Sequence, residues 1–134
     1  MTNTNKVYHK NELIGIFLDM DSFEESSFPT PEEESFQLGL WSIMDRKVYE
    51  KHIHKSLTRT ISNTAEFIFV LEGELKIHLY SSDNDFLKTI FLGPNNAFLQ
   101  FQGGHEIVAE SKTKFFEIKQ GPYLGRDADK FTVK

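Results

Sequence analysis

Two of the five histidines, His52 and His54, are separated by a single residue and form a possible metal half-site. If this stretch is a β-strand, residues i and i+2 point to the same face, so the two imidazoles project together. Neutral imidazole is the commonest protein ligand for divalent transition metals. The pair therefore predicts half of a metal site, although a solvent-facing pair on an edge strand has the same spacing and no ligand role.

A third candidate is Glu66, which lies in the otherwise apolar stretch AEFIFVLEG. If Ile68 and Val70 face the core, the two-residue period of a strand turns Glu66 to the same side. A carboxylate in an apolar interior is costly unless it is paired or bound to a metal. The alternative is a carboxylate at the strand end that reaches solvent past Ala65.

The fourth candidate, His105, follows the glycine pair Gly103–Gly104 and shares a predicted strand face with Ile107. The two glycines either let backbone and ligand approach closely or simply form the turn. The chain has no cysteine, which excludes disulfides and thiolate ligands. Any metal must therefore be held by histidine, carboxylate or neutral oxygen donors.

The elements that must position these residues read as short strands. After Phe36 there is no helical period, and apolar runs alternate with Gly, Asn and Asp turns. The predicted strands cover 64–71, 75–80, 86–92, 97–102, 105–111 and 114–120. In the last of these we expect Phe116 and Ile118 to face inward, with Glu117 and Lys119 outside. Short strands at this spacing indicate an all-β sandwich or barrel.

The N-terminal part differs in charge. Residues 19–34 carry seven carboxylates and no base, together with Pro29 and Pro31, which indicates a surface loop. Before it, Leu13 to Leu18 predicts a strand that adds to a sheet edge. We therefore divide the chain into 1–35, an N-terminal strand and acidic loop, and 36–134, the barrel with its C-terminal tail, within one structural domain.

Length and charge narrow the function classes. The chain of 134 residues suits one domain, and its net charge of −5 argues against binding nucleic-acid phosphates. The longest apolar run is five residues, far below a membrane span. The polar start, MTNTNKVYHK, lacks the apolar core of a signal peptide. We expect a cytoplasmic protein that binds neither membranes nor nucleic acid.

The order of the motifs resembles the cupin superfamily: His-x-His, then the E-x6-G spacing from Glu66 to Gly73, then Gly-His at His105. The stretches GGHEIVAES and FFEIKQGPYLGRDADKF are similar to a group of small bacterial cupins associated with surface-polysaccharide or sugar-nucleotide genes. The resemblance implies a double-stranded β-helix and a metal site of His52, His54, Glu66 and His105. One departure is the run of 11 residues between His54 and Glu66, where cupins usually have only a few.

By this resemblance the chain binds one divalent transition metal (Zn, Ni, Fe or Mn) and a sugar or sugar nucleotide. Arg59, in the long insertion, is either a ligand for a carboxylate or phosphate group or a solvated loop residue. Two other functions stay open. One is a metal-independent sugar-nucleotide ketoisomerase or epimerase that uses His52 and His54 as proton shuttles. The other is a non-catalytic module that binds a small molecule and regulates a neighbouring protein.

The strands also predict an assembly. In residues 66–71 and around Phe115 and Phe116, apolar side chains occupy both faces of the strand. One barrel interior covers only one of these faces, so the other must be covered by something else. We expect a homodimer with a phenylalanine-rich interface, since two-fold dimers are the commonest soluble assembly.

Overall fold

The structure, a computed structural model, describes residues 4–133 and is all-β, as predicted. Its strands are β1 (Thr4–His9), β2 (Glu12–Asp19), β3 (Glu66–Glu72), β4 (Leu75–Tyr80), β5 (Phe86–Leu92), β6 (Asn96–Gln100), β7 (Gly104–Val108) and β8 (Lys114–Lys119). A single helical turn, α1 (Arg126–Asp129), follows them. Within this described part of the chain, no helix is long and apolar enough to cross a membrane.

The strands form two antiparallel sheets. Five strands lie in the order β1-β2-β6-β3-β8, and three lie in the order β5-β4-β7. The main core lies between them: Leu75, Ile77 and Leu79 of β4 are fully buried against Ile68 and Val70 of β3. This burial confirms that Ile68 and Val70 face the core, which is the condition under which the two-residue period turns Glu66 inward.

The predicted strand from Leu13 to Leu18 forms part of β2, and β1 lies beyond it at the edge of the sheet. Strand β2 pairs on one side with β1 and on the other with β6. Its Ile14 lies in the core between the sheets, whereas Leu13, Ile16 and Leu18 lie in a separate apolar cluster, so both faces of the strand are covered. An apolar run buried on both faces is typical of an interior strand, and the more polar β1, which was not predicted, takes the edge.

The chain itself covers part of the outer face of the five-stranded sheet. A second apolar cluster includes Met20, Phe23, Phe36 and Leu38, which pack against the outward residues of β2, β3 and β6. The loop is also held by paired backbone hydrogen bonds between Ser27 and Leu40. The predicted surface loop therefore packs on the five-stranded sheet. A partner could contact only the part of the apolar outer face that the loop leaves exposed.

The last strand faces the opposite way from our prediction. Glu117 lies opposite the buried Ile68, and opposed residues of an antiparallel pair share a face, so Glu117 and Lys119 are on the inner side. Phe116 is outside, stacked on Phe69 with ring centroids 5.2 Å apart. The prediction failed because β8 is an edge strand whose orientation is set by its register with β3.

The stretch that carries the histidine pair is not a strand. Residues 41–65 contain no regular secondary structure, and 43–64 are exposed throughout. The predicted common face of His52 and His54 depended on strand pairing. No neighbouring strand of the described chain supplies backbone partners for this stretch.

Close packing across β2 and β6 leads to a stability prediction. A Cβ atom added at Gly15 would lie 2.3 Å from the Phe98 ring and 2.7 Å from the carbonyl oxygen of Leu99. We expect Gly15→Ala to lower the free energy of unfolding by about 1–3 kcal/mol, the usual cost of overpacking. Urea denaturation measures this change. In the control, Gly93→Ala, the new Cβ has its nearest contact at 3.7 Å, so its denaturation midpoint should hardly move.

Candidate functional site

Polar side chains gather at one end of the two packed sheets. Strand β3 begins there with Glu66, β6 ends there with Gln100, and β8 ends there with Lys119. The antiparallel register places Glu66 directly opposite both Gln100 and Lys119, so the three side chains share the inner face. His105 reaches the same place from β7 of the other sheet, where it pairs with Leu79, whose side chain is buried in the core.

A hydrogen bond between the sheets determines which nitrogen of His105 carries the proton. The Nδ1 atom of His105 lies 2.7 Å from Oε1 of Gln100. The amide nitrogen of Gln100 donates to the carbonyl oxygens of Gln102 and Gly104, at 3.1 and 3.3 Å, so its oxygen must face the imidazole. An amide oxygen only accepts, so Nδ1 is the donor, and in the neutral ring Nε2 keeps a free lone pair.

That lone pair points toward a carboxylate oxygen that makes no hydrogen bond. Nε2 of His105 lies 3.4 Å from Oε2 of Glu66, and the side chains are 25% and 17% exposed. Oε2 is buried and makes no hydrogen bond. Two facing acceptors are unfavourable unless a proton or a cation lies between them. The pair therefore has the chemistry of a site for one or the other.

A cation at the same end is already paired. The Lys119 ammonium donates a hydrogen bond to Asp129 Oδ2 at 3.1 Å, which ties α1 to the end of β8. This bond raises the pKa of Lys119; burial opposes the increase, and the charges of Asp129, Glu117 and Glu66 add to it. Lys119 thus stays charged beside Glu66.

The histidine pair and Arg59 lie apart from this group in the single chain. His52 and His54 are exposed and contact each other edge to face, with ring centroids 5.2 Å apart. Nδ1 of His52 is 2.8 Å from the carbonyl oxygen of Glu50, which is a bond within the stretch. Arg59 is also exposed.

The structure therefore brings together Glu66 and His105, two of the four predicted metal ligands. Across residues 4–133 no group of three or more histidine or acidic side chains is arranged to hold a metal ion. The fit of these two residues to a metal is good in one respect, because Oε2 of Glu66 and Nε2 of His105 face each other and each can offer a lone pair to a cation. The site would need further ligands.

Sequence reasoning missed Gln100. The signal was present, because Gln100 is a polar residue in the apolar run AFLQF and follows Phe98 by two positions. The same argument that turned Glu66 inward applies to Gln100, and Gln100 is buried.

Gly103, the first residue of the glycine pair before His105, is a turn residue: its φ is 85°, and a Cβ there would lie 2.4 Å from the carbonyl oxygen of Tyr80. This supports the turn alternative for the glycine pair.

Comparisons with known proteins return no match. No protein-family model, curated protein or solved structure matches the chain.

The hydrogen bond between the two sheets predicts the histidine tautomer. We expect His105 to be protonated at Nδ1 in its neutral form, which nitrogen-15 NMR of the imidazole detects directly. Gln100→Ala should remove this preference, because the acceptor is lost. Gln102→Ala is the matched control, since the Gln102 side chain donates to the carbonyl of Leu13, 3.1 Å away. An unchanged tautomer in Gln100→Ala would contradict the assignment.

The Lys119–Asp129 pair predicts a pH-dependent stability. We expect Asp129→Asn to lower the free energy of unfolding by on the order of 1 kcal/mol. Because the folded pKa of Lys119 is raised, the difference from wild type should be complete below the ordinary value of 10.5 and shrink as pH rises through the folded pKa.

Urea denaturation of both proteins from pH 7 to 11 measures this difference. The control is Glu72→Gln, which removes an ion pair with Lys112 whose side chains are 51% and 85% exposed. Its effect should be close to zero at every pH. A loss in Asp129→Asn that persists unchanged to pH 11 would contradict the electrostatic explanation.

Proposed function

We propose that this chain is a metal-binding β-barrel of the cupin type, a double-stranded β-helix. In this proposal Glu66 and His105 are the preformed half of the site, and His52 and His54 complete it around one divalent transition metal. The two antiparallel sheets and their shared core support the fold. Three imidazoles and one carboxylate suit zinc, nickel, iron or manganese.

The observation that carries the proposal is the unpartnered Oε2 of Glu66, buried at 3.4 Å from Nε2 of His105. A ligating histidine typically donates its other ring N–H to a fixed acceptor, and Gln100 is such an acceptor, at 2.7 Å. The arrangement therefore holds the lone pair of His105 toward the carboxylate before any ligand arrives. That preorganisation favours cation binding.

When bound, such a metal acts as a Lewis acid that polarises a carbonyl or hydroxyl oxygen of the ligand. The residues of the chain have separate roles. Gln100 orients His105, and the apolar walls from β3 and β4 limit the access of water to this end of the core. Lys119, held by Asp129, keeps a positive charge beside the site, where it favours an anionic ligand.

The ligand we propose is a sugar or a sugar nucleotide. Its support is the similarity of the motifs around His52, Glu66 and His105 to cupins associated with surface-polysaccharide and sugar-nucleotide genes. Polar groups at the end of an apolar interior are also a common arrangement for binding a small molecule. Arg59 remains a candidate for a phosphate or carboxylate of that ligand.

A second function has an observation in its favour. The 3.4 Å separation of Glu66 and His105 also suits a carboxylate–imidazole pair that shares a proton without any metal. A metal-independent ketoisomerase or epimerase would use this pair, with His52 and His54 as further proton shuttles. A protein that binds the sugar without turnover and regulates a neighbour is the non-catalytic alternative.

Metal content tests the proposal. We expect about one divalent metal per wild-type chain by elemental analysis, and His105→Ala should lose most of it while its circular dichroism is unchanged. The matched control is His78→Ala: His78 lies on the outer face of the other sheet, with Nδ1 2.8 Å from the Thr89 hydroxyl. Its metal content should equal that of wild type. Equal metal in His105→Ala and wild type would exclude His105 as a ligand.

Activity separates the alternatives. Wild-type protein is assayed on a panel of sugar nucleotides, before and after chelation. Turnover that stops on chelation and returns with the metal supports the metal-dependent reaction. Turnover that survives chelation supports proton transfer by the histidines, and ligand binding without turnover supports the regulatory module.

A further inference from the structure

The stretch that carries the histidine pair is exposed along its length. Residues 46–59, here called the His segment, make no strand pairing with the rest of the described chain. Their apolar side chains face water: Ile53 is 91% exposed and Leu57 is 64% exposed. Backbone groups and apolar side chains exposed together are the features of a strand that lacks its sheet.

One sheet edge, β7, lacks a neighbouring strand among the described residues. Strand β7 pairs with β4 on one side, and its other side has no partner among residues 4–133. It carries His105 on its inner face and Glu106 and Val108 on its outer face. A strand added at this edge would lie next to His105.

Charge distinguishes β7 from the other edges. The His segment contains five bases and one acid. The stretch 104–110, which includes β7, contains two acids, Glu106 and Glu110, and no lysine or arginine. Their side chains are 67% and 72% exposed, and each faces a side chain of β4: Glu110 pairs with Lys76 at 3.3 Å, and Glu106 lies 3.9 Å from His78. Strands β1, β5 and β8, the remaining edges of the described sheets, each carry more bases than acids. Electrostatic attraction therefore favours β7.

The alternation of the His segment suits this position. In an extended strand His52 and His54 share one face, and Ile53 and Leu57 share the other. With the histidines turned inward beside His105, the two apolar residues lie on the outer face. There they adjoin Val108, which the same sheet presents outward.

We propose that the His segment of one copy adds as a fourth strand to β7 of a second copy, so that each metal site is built by two chains. The inference rests on the proposed function for the role of the histidines, while the strand exchange is a separate claim. Within residues 4–133 both the segment and the outer side of β7 lack a neighbouring strand. In a two-fold pair each His segment lies on the β7 edge of the other copy, so two chains complete the exchange.

Mixing of two defective variants tests this arrangement. One variant is His52→Ala/His54→Ala, and the other is His105→Asn. The two are unfolded, mixed in equal amounts and refolded together, and metal is then measured. In an exchanged heterodimer one site receives both substitutions and the other site receives none. Random pairing makes half of the dimers heterodimers, so metal content should recover to about a quarter of the wild-type value.

The outcomes are distinct. Recovery in the mixture, with neither variant binding metal alone, supports the exchange. No recovery, with wild-type protein binding metal normally, means that each chain completes its own site and overturns it. Glu66→Gln replaces His105→Asn in a second mixture, in case the histidine variant folds poorly. A monomeric mass near 15.5 kDa for wild type by light scattering also overturns the exchange.

A covalent test does not depend on metal. The chain has no cysteine, so single substitutions report without background. Protein with Ile53→Cys is refolded with an equal amount of Glu106→Cys or Val108→Cys protein and oxidised. Neighbouring strands bring such residues within disulfide range. We expect a disulfide-linked dimer at about twice the chain mass with at least one of the β7 positions.

The control for this test is Phe91→Cys, on β5 at the opposite edge of the same sheet, which should not cross-link to Ile53→Cys. Failure of both β7 positions overturns the exchange. A chain that carries both Ile53→Cys and a β7 cysteine, and that forms only a disulfide within itself, also overturns the exchange. A cross-linked dimer without metal would retain the exchange and refute the proposed metal site, whereas metal without cross-linking would do the reverse.

Discussion

The hydrogen bond from His105 to Gln100 is the contact on which the candidate site depends, because it joins the two sheets at one end of the core. His105 belongs to the three-stranded sheet, and Gln100 belongs to the five-stranded one. A polar contact at this depth is favourable only when its partners are satisfied. Gln100 meets that condition through two backbone carbonyls, whereas the Glu66 oxygen that faces His105 is buried without a hydrogen bond.

The rest of the fold makes this contact possible. Antiparallel pairing brings the beginnings of β3 and β7 to the same end as the terminations of β6 and β8. The apolar core between the sheets, with Ile68, Leu79 and Phe98 fully buried, sets the separation that the His105 side chain crosses. On the opposite face of the five-stranded sheet, apolar residues of the stretch 20–40 cover part of the surface.

The His segment differs from the two packed sheets in charge, in exposure and in backbone pairing. It is basic, it is exposed, and its backbone has no ladder of hydrogen bonds in the single chain. The chain on either side of it is nevertheless held: Leu40 is bonded to Ser27, and the backbone N–H of Ala65 donates to the Gln120 side chain at 3.1 Å. A segment tethered at residues 40 and 65 can extend outward from the sheets, which is the geometry that strand addition to another molecule requires.

Much of the strand layout could be predicted from the sequence, because alternation is a local property. The period of two residues located β3 to β7 and placed Glu66 on the same face as Ile68 and Val70, which are buried. Other features were decided by tertiary structure. The inward face of β8 depends on its register with β3, the role of Gln100 depends on a residue of the other sheet, and the exposure of His52 and His54 depends on whether a neighbouring strand exists. Local spacing determines which residues share a face, but only the packed sheets determine what that face meets.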